Sequence, residues 1–283
     1  MALVQPAGNG YKSVVGQFTR DGYYFPLDAM SRDEAMAFRA EFDALETEIA
    51  GRRLGNRGQL NYAHVTMPFA DRIVRHRGIL DVVETILGPD LLVWGSTFFT
   101  KEPHTEAFVS WHQDLRYWGF SGDDEVAGWV ALGPVREEHG CMRFVPGSHR
   151  LDILEHRDTF DDANFLSRGQ EAVIEIDEDK TVMVELEPGQ ASLHHGPLLH
   201  ASGPNVSDER RVGMVINYIK PEMKQLMVDR DFCTLVRGQD RFGHFEHVPA
   251  PQANFSSDAM AWHQRILDAQ NTVIFDGAGV TET

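Results

Sequence analysis

Apolar residues recur at helical spacing in the first third of the chain. The pattern after Ser31 predicts a helix up to Gly51, and Ser31 with Glu34 three residues later forms a capping-box signature at its start. A second pattern predicts a helix from Asp71 to Leu87, stopped by the glycine and proline that follow. Each helix has one apolar face, so we expect both to pack on a common core.

The pattern changes at Leu91, where short runs rich in Val, Phe, Trp and Thr are separated by Gly and Pro. Such runs indicate antiparallel β-structure. A short aromatic strand after the Asp21-Gly22 turn is also expected, ending at Pro26. The other predicted strands are Leu91–Thr100, Val109–Asp114, Ala127–Pro134, Cys141–Val145, Thr181–Leu186, Ala191–His195 and Arg211–Lys220.

The rest of the pattern fixes the expected architecture. Residues 150–180 are polar and charged, which predicts a long insertion forming a lid or loop over one end of the sheets. A final helix is expected from Ser257 to Gln270. We therefore predict a mainly β protein with flanking α-helices, a sandwich or barrel. One domain spans 1–283, with a helical part at about 18–90, a β core at about 91–220 and a C-terminal helix at about 257–270.

Composition narrows the possible partners and the compartment. Asp and Glu number 43 against 26 Lys and Arg, and the net charge of −17 argues against a nucleic-acid partner. Cys141 and Cys233, the only cysteines, do not resemble a secreted disulfide framework. The chain begins without a basic segment followed by an apolar run, and no apolar stretch reaches membrane-spanning length. We expect a cytoplasmic protein that does not enter the membrane.

The candidate chemistry lies in a His-X-Asp motif. His112 and Asp114 fall in a predicted strand, where residues two apart point to the same face, while Gln113 points away. His200 is able to complete a facial triad of two histidines and one carboxylate, which leaves positions open on a six-coordinate metal and suits Fe(II). A lone His-X-Asp is more often a surface or hydrogen-bonded pair, so the surrounding sequence must decide whether this motif binds a metal.

That context resembles the phytanoyl-CoA dioxygenase family of Fe(II)- and 2-oxoglutarate-dependent oxygenases. The resemblance covers most of the chain and is carried by Asp21-Gly22-Tyr23, the segment 110–114, the segment 140–149 and the late His-Ala-Ser and Arg block. It implies a double-stranded β-helix core of the jelly-roll or cupin-like type. It also implies that His112, Asp114 and His200 hold Fe(II), with 2-oxoglutarate as cosubstrate and O2 as oxidant.

The resemblance further implies an arginine anchor for 2-oxoglutarate eleven residues after the distal histidine, and a helping hydroxyl two residues after it. These offsets from His200 give Arg211 and Ser202. Arg210 is the rival, but neighbouring residues on a strand face opposite sides, and the offset favours Arg211. Thr97 and Trp129 are weaker candidates for the same pocket, Trp129 being more simply a core residue.

Three residues directly after the metal motif, Arg116, Tyr117 and Trp118, are candidates for substrate contact, with packing at the rim as the alternative. The other histidines are expected to have structural or surface roles. His149 belongs to a structural turn, His194 and His195 are more simply core histidines although one of them is able to face the site, and His104, His139, His244 and His247 are expected to face water.

The implied reaction is hydroxylation of a C–H bond in a small-molecule metabolite or natural-product intermediate, with release of succinate and CO2. Desaturation or oxidative cyclisation with the same cofactors stays open, and Asp114 disfavours halogenation because related halogenases have a small residue there. Two other classes also remain, namely a cupin-like metal isomerase or hydrolase and a non-catalytic ligand-binding β-sandwich. The resemblance does not imply an acyl-CoA substrate, and the sequence does not indicate the substrate or the oligomeric state.

Overall fold

The computed structural model describes residues 10–50 and 59–274. The predicted helix end at Gly51, the first residues of the chain and its tail lie outside the described residues. The helices are α1 (Gly10–Asp21), α2 (Arg32–Ala44), α3 (Glu46–Ala50), α4 (Ala63–Thr66), α5 (Pro68–Val74), α6 (Arg77–Leu87) and α7 (Ser257–Ile274). The strands are β1 (Tyr23–Asp28), β2 (Gln59–Asn61), β3 (Leu91–Lys101), β4 (Val109–His112), β5 (Glu125–Ala131), β6 (Met142–Phe144), β7 (His156–Asp158), β8 (Gln170–Ala172), β9 (Val182–Val184), β10 (Gln190–His194), β11 (His200–Ser202), β12 (Arg211–Ile219), β13 (Phe232–Arg237) and β14 (Glu246–His247).

Two sheets form the centre of the fold. The major sheet has the order β1-β10-β5-β12-β3-β13-β14, with β2 also paired to β3, and the minor sheet has the order β4-β11-β6-β9. The pairings within them are antiparallel except that of β13 with β14. The fold is mainly β with flanking helices, and it is the double-stranded β-helix that the resemblance implies.

Successive side chains of β12 point alternately to the two faces of the major sheet. Met214, Ile216 and neighbouring even-numbered residues join the apolar core that includes residues of α2, α5 and α6. Burying each such side chain contributes about 1.5–3 kcal/mol. The odd-numbered Arg211, Val215 and Asn217 line a cavity on the opposite face. One strand therefore fixes the helical layer and positions the polar groups of the cavity.

The predicted helices are present, with breaks that periodicity did not show. The Ser31 Oγ accepts a hydrogen bond from the Glu34 N–H at 3.2 Å, which confirms the predicted cap. The helix expected from Asp71 to Leu87 is two helices, α5 and α6, and was wrong as a single element. His76 accounts for the break, because its Nδ1 accepts from the Gly78 N–H at 3.1 Å and caps the start of α6.

The predicted strands match the observed ones to within a few residues, with two informative differences. The aromatic strand β1 does not end at Pro26 but continues to Asp28 along the edge of the major sheet, with a register shift after Tyr24. Strand β4 ends at His112, and Asp114 begins a short 3₁₀ turn, Asp114–Tyr117. Among the described residues no helix has the length and apolarity needed to cross a membrane.

The 150–180 insertion is a folded element. Its strands β7 and β8 pair as a separate two-stranded sheet. Between them, Phe165, Leu166 and Ser167 line the cavity between the two sheets. This placement agrees with the expected position over one end of the sheets.

Candidate active site

A cavity of about 250 Å³ lies between the two sheets. It is lined by polar and aromatic side chains from both sheets and by residues of the insertion. The lining includes Asn61, Tyr62, Trp94, Gly95, Thr97, Phe99, Val109, His112, Asp114, Trp118, Trp129, Met142, Phe165, Leu166, Ser167, His194, His200, Ala201, Ser202, Arg211, Val215 and Asn217. Most of the residues that the sequence singles out therefore meet in one place.

Two neighbouring strands of the minor sheet bring the His-X-Asp motif and the distal histidine together. His112 on β4 and His200 on β11 are direct cross-strand partners, and their ring centroids are 4.1 Å apart. Asp114 Oδ1 lies 3.2 Å from His112 Nε2 and 3.8 Å from His200 Nε2. One ligand atom from each of the three residues lies within 4.8 Å of the others. This cluster has the composition and openness of a facial triad.

The ring nitrogens of the two histidines are oriented by the backbone. His112 Nδ1 donates to the Ser110 carbonyl and His200 Nδ1 to the Leu198 carbonyl, both at 2.9 Å. With the proton on Nδ1, the Nε2 lone pair of each ring points toward Asp114, as a metal ligand requires. The donor set of two neutral imidazoles and one carboxylate therefore fits a divalent transition metal.

The electrostatics of the cluster agree with this fit. Burial and the nearby His112 together lower the pKa of His200 to about 3, so the ring is neutral at physiological pH. Burial alone favours the neutral form of Asp114, but the adjacent His200 and His112 outweigh it and lower its pKa below the usual range. The carboxylate of Asp114 is thus ionised, and the neutral imidazole of His200 is able to act as a ligand.

Gln113, between the two ligand candidates, points away from the cavity as expected and holds two loops. Its Nε2 donates to the Pro197 carbonyl at 2.9 Å, and its Oε1 accepts from the Leu154 N–H at 2.8 Å. Its own N–H donates to His156 Nε2 at 3.1 Å. The insertion and the segment before His200 are therefore both fastened to the metal-motif strand.

The other end of the cavity is cationic. Arg211 is 2% exposed, and its guanidinium donates to the Gly140 carbonyl and lies 5.4 Å from the centroid of the Trp129 ring. Burial lowers the pKa of Arg211 to about 10. Ser202, on the strand that carries His200, also lines this end. Arg211 and Ser202 are thus within one cavity with the His-Asp-His cluster.

Lys101 is a site residue that the sequence prediction missed. It is fully buried, it is the cross-strand partner of Arg211, and its Nζ donates to Ser202 Oγ at 2.8 Å and to the Gly203 carbonyl. Burial, with the charge of Arg211, lowers the pKa of Lys101 to about 5. No carboxylate among the described residues forms an ion pair with either cation. This end of the cavity therefore has two buried basic groups, neither with an acidic partner among the described residues.

The structure distinguishes Thr97 and Trp129, the weaker candidates for the 2-oxoglutarate pocket, from Arg210, the rival of Arg211. Thr97 and Trp129 both line the cavity, and Thr97 Oγ1 donates to Asn61 Oδ1 at 3.2 Å. A Cβ at Gly213 would lie 2.1 Å from the Trp129 ring, so the glycine leaves the space that this ring occupies. Arg210 faces the other way and pairs with Glu46 and Glu102 at 2.6 and 2.7 Å.

The three residues that follow the metal motif have different environments. Trp118 lines the cavity, with its ring centroid 5.0 Å from that of Trp94. Tyr117 is not among the lining residues, and its ring packs under the guanidinium groups of Arg116 and Arg168. The structure brings only Trp118 of the three to the cavity wall.

Two histidines have environments that residue patterns did not resolve. His194 lines the cavity and is 1% exposed, and neither ring nitrogen has a hydrogen-bond partner among the described residues. Its Nε2 lies 4.0 Å from Asp114 Oδ2. The expectation that His139 faces water was wrong, because it is 5% exposed and its Nδ1 accepts from the Arg136 N–H at 3.0 Å, which closes a short turn.

The remaining histidines lie outside the cavity. His149 contacts the Thr19 carbonyl at 3.2 Å and His195 contacts the Asp123 carbonyl at 2.7 Å, so both have structural roles. His104 and His247 are exposed, in line with the expectation, and His244 is half-buried.

Comparison with known proteins gives a consistent result. Residues 18–213 match the family model described as Phytanoyl-CoA dioxygenase (PhyH). A probable alpha-ketoglutarate-dependent hypophosphite dioxygenase from Stutzerimonas stutzeri is 31% identical over 159 residues, which cover 55% of this chain and 54% of that protein. The chain spans about half the length of the first curated relatives it matches.

Solved structures show the same relationship over more of the chain. The non-heme monooxygenase ThoJ, in its apo form, has a TM-score of 0.83 and 33% identity, with 93% of this chain and 98% of ThoJ covered. The epimerase SnoN, in complex with Fe³⁺, alpha ketoglutarate and nogalamycin RO, shares the fold at a TM-score of 0.66 and 21% identity, with 89% and 98% covered. The chain belongs to the phytanoyl-CoA dioxygenase family of non-haem iron oxygenases, which use Fe(II), 2-oxoglutarate and O2.

Proposed function

We propose that this chain is an Fe(II)- and 2-oxoglutarate-dependent dioxygenase that hydroxylates a C–H bond of a small molecule and releases succinate and CO2. The observation that carries the proposal is the buried cluster of His112, Asp114 and His200, with both Nδ1 atoms bonded to backbone carbonyls and a separate cationic end in the same cavity. Strands of both sheets and the 150–180 insertion contribute to this one cavity, which supports the proposal that the chain acts as one domain.

In this proposal His112, Asp114 and His200 hold the iron. Their backbone hydrogen bonds fix the two rings before the metal binds, so little rotamer freedom is lost on coordination. The ionised Asp114 would balance one of the two positive charges of Fe(II), and a set of two histidines and one carboxylate would leave the metal accessible to a cosubstrate. With its cosubstrate bound, the metal supplies an oxidant that removes a hydrogen atom from an unactivated C–H bond.

The cationic end holds the cosubstrate in the same proposal. Arg211 offers a planar fork of N–H donors that matches a carboxylate, and the Ser202 hydroxyl and the Lys101 amine lie beside it. Thr97 and Trp129 line the wall between this end and the metal cluster. A dicarboxylate is thereby oriented with one carboxylate on the cations and the other toward the metal.

The walls of the cavity include apolar side chains that would limit the access of water to a bound cosubstrate. Val109, Val215 and Met142 line it with apolar groups, and Phe165 of the insertion lies over the amine of Lys101 at 5.9 Å. A dry cavity strengthens the electrostatic contacts to the cosubstrate and protects a reactive centre from side reactions.

The alternative functions are distinguished from hydroxylation either by their products or by the side chains that they require in the cavity. Desaturation and oxidative cyclisation need the same cofactors, so only the product distinguishes them from hydroxylation. A cupin-like isomerase or hydrolase, or a non-catalytic binding protein, gives no reason for Arg211 and Lys101 to be buried together without an acidic partner among the described residues. The cationic end therefore favours the oxygenase.

A spectroscopic experiment tests the cosubstrate and metal assignment. Under anaerobic conditions, Fe(II) and 2-oxoglutarate are expected to give a weak visible charge-transfer band that is absent in Asp114→Ala and weakened in Arg211→Ala. Intact, iron-loaded protein without this band would falsify the assignment. Product mass then decides the reaction, since gain of one oxygen supports hydroxylation and loss of two hydrogens supports desaturation or cyclisation.

A further inference from the structure

The cavity extends well beyond the cationic end. Along β12 the side chains of Arg211, Val215 and Asn217 line it in order, and six residues of strand at about 3.3 Å each place Asn217 about 20 Å from Arg211. A five-carbon dicarboxylate held at Arg211 spans only part of this length. The far end around Asn217 is therefore available to a second molecule.

The side chains at this far end are aromatic and amide groups. Trp94, Trp118 and Tyr62 supply rings, and Asn61 and Asn217 supply amides. None of these five carries a charge. Indole faces favour flat or ring-shaped ligands, and amides both donate and accept hydrogen bonds at a ligand's edge. We refer to these five residues as the amide-aromatic subsite.

The two tryptophans are held in place from behind. Trp94 Nε1 donates to Asp231 Oδ2 at 2.8 Å, and Asp231, 1% exposed, also accepts from Gln270 Nε2 of α7 at 2.9 Å. Gln225 Nε2 donates to the Trp118 carbonyl at 2.8 Å. The indole rings lie 5.0 Å apart at 49°. Trp94 also packs against Phe120, with ring centroids 4.8 Å apart. These contacts hold the aromatic wall in place before a ligand binds.

A glycine makes room for the ligand. Gly95 of β3 is the cross-strand partner of Asn217 and lines the cavity. A Cβ at Gly95 would lie 3.1 Å from Asn217 Oδ1 and 3.8 Å from Tyr62 Cε1. Any side chain at this position would therefore press on the amide and fill the space between the rings.

We propose that the amide-aromatic subsite binds the substrate, and that this substrate is an uncharged ring-bearing molecule, or part of one, with an amide or hydroxyl group at its edge. An ionised group that enters such a site loses its hydration. The acidic group beside Asn217, the fully buried Glu125, offers no ready counter-charge, because burial raises the pKa of its carboxyl well above the usual range. The inference rests on the proposed oxygenase function, since it assigns the substrate of the same cavity.

The test uses three probes of one ring and similar size, namely benzamide, benzoate and benzylamine. Binding is measured by saturation-transfer NMR on iron-free protein loaded with Co(II) and saturating 2-oxoglutarate, after the Fe(II) protein has shown its charge-transfer band. The band tests the proposed function, so the two proposals fail separately. Saturating 2-oxoglutarate also keeps benzoate away from the cationic end.

We expect benzamide to bind at least tenfold more tightly than either charged probe. Gly95→Ala should weaken benzamide binding at least tenfold while 2-oxoglutarate still binds. The matched control is Gly128→Ala in β5, where the new Cβ would meet its neighbours at an ordinary 3.5 Å and does not face the cavity, so benzamide binding should be unchanged.

Three results would overturn the proposal. Equal or tighter binding of a charged probe would contradict an uncharged substrate. Benzamide binding that is unaffected by Gly95→Ala would place the ligand elsewhere. A lack of benzamide binding by protein that shows the charge-transfer band would remove the subsite itself.

Discussion

Replacing Lys101 by methionine should make the protein more stable at neutral pH and bind 2-oxoglutarate less tightly. Lys101 is fully buried beside Arg211, and burial lowers its pKa from 10.5 to about 5. At pH 7 the folded state therefore holds a neutral amine that the unfolded state protonates. Methionine has a similar length and needs neither charge nor proton.

The magnitude follows from the pKa difference. Each pH unit between 10.5 and 7 costs the folded state about 1.4 kcal/mol, or about 5 kcal/mol in all. Methionine removes this cost but loses the amine's hydrogen bonds to Ser202 and the Gly203 carbonyl, at about 1–1.5 kcal/mol each. The net gain expected for Lys101→Met at pH 7 is about 2 kcal/mol.

The sign of the pH dependence provides the sharper test. Between pH 5 and 10.5 the unfolded wild type binds one more proton at this lysine than the folded state, so its stability rises with pH. Lys101→Met lacks this contribution. Its stability advantage over wild type should therefore shrink by about 1.4 kcal/mol for each pH unit upward.

Urea unfolding of both proteins at pH 6, 7, 8 and 9 measures this difference. Lys224→Met, at an exposed lysine, is the matched control and should show no pH-dependent difference from wild type. A constant stability difference between Lys101→Met and wild type across these pH values would refute the reasoning. In the same variant the Kd for 2-oxoglutarate should rise about tenfold, because the amine that would donate hydrogen bonds to the bound carboxylate beside Arg211 is lost.

Two further predictions concern groups around the metal cluster. His194→Phe should weaken Co(II) binding about tenfold in a visible titration, because His194 lies beside the second carboxylate oxygen of Asp114. His195→Phe is the control, since His195 contacts the Asp123 carbonyl instead. Equal effects of the two changes would exclude an orienting role for His194. Gln113→Leu should lower the free energy of unfolding, measured in urea, by about 2–4 kcal/mol, since it leaves the Pro197 carbonyl and the Leu154 N–H unpaired. Gln264→Leu, on the exposed face of α7, should change it by less than about 0.5 kcal/mol. Similar losses in both variants would contradict this.

The cluster of His112, Asp114 and His200 could be predicted from residue offsets, because the three side chains come together even where the local secondary structure differs from the prediction. His112 and Asp114 were placed on one strand face, yet Asp114 lies in a 3₁₀ turn and still meets His112 at 3.2 Å. The antiparallel pairing of β4 with β11 then places His200 opposite His112. Sequence offsets thus identified the residues, while the pairing that joins them became visible only in the structure.

Lys101 and His139 show where residue patterns are insufficient. Lys101 is followed by Glu102 and Pro103, which suggests an exposed strand end. A signal was nevertheless present, because Thr97, Phe99 and Lys101 share one strand face and Thr97 was already a candidate for the cavity. His139 stands among acidic residues and gave no such signal, since its burial comes from a local turn. Contacts of the insertion also depend on tertiary pairing that no local pattern encodes.

The distribution of charge separates two buried basic groups, Lys101 and Arg211, from the acidic residues that give the protein a net charge of −17. Acidic residues pair with arginines at the surface, as Arg210 does, whereas Lys101 and Arg211 have no acidic partner among the described residues. Such an uncompensated pair lowers stability, and a bound dicarboxylate would restore the balance. The other end of the cavity, around Asn217, has neutral amide and ring groups instead. If both proposals hold, charge would select the cosubstrate at one end of the cavity, and shape and hydrogen bonding would select the substrate at the other end.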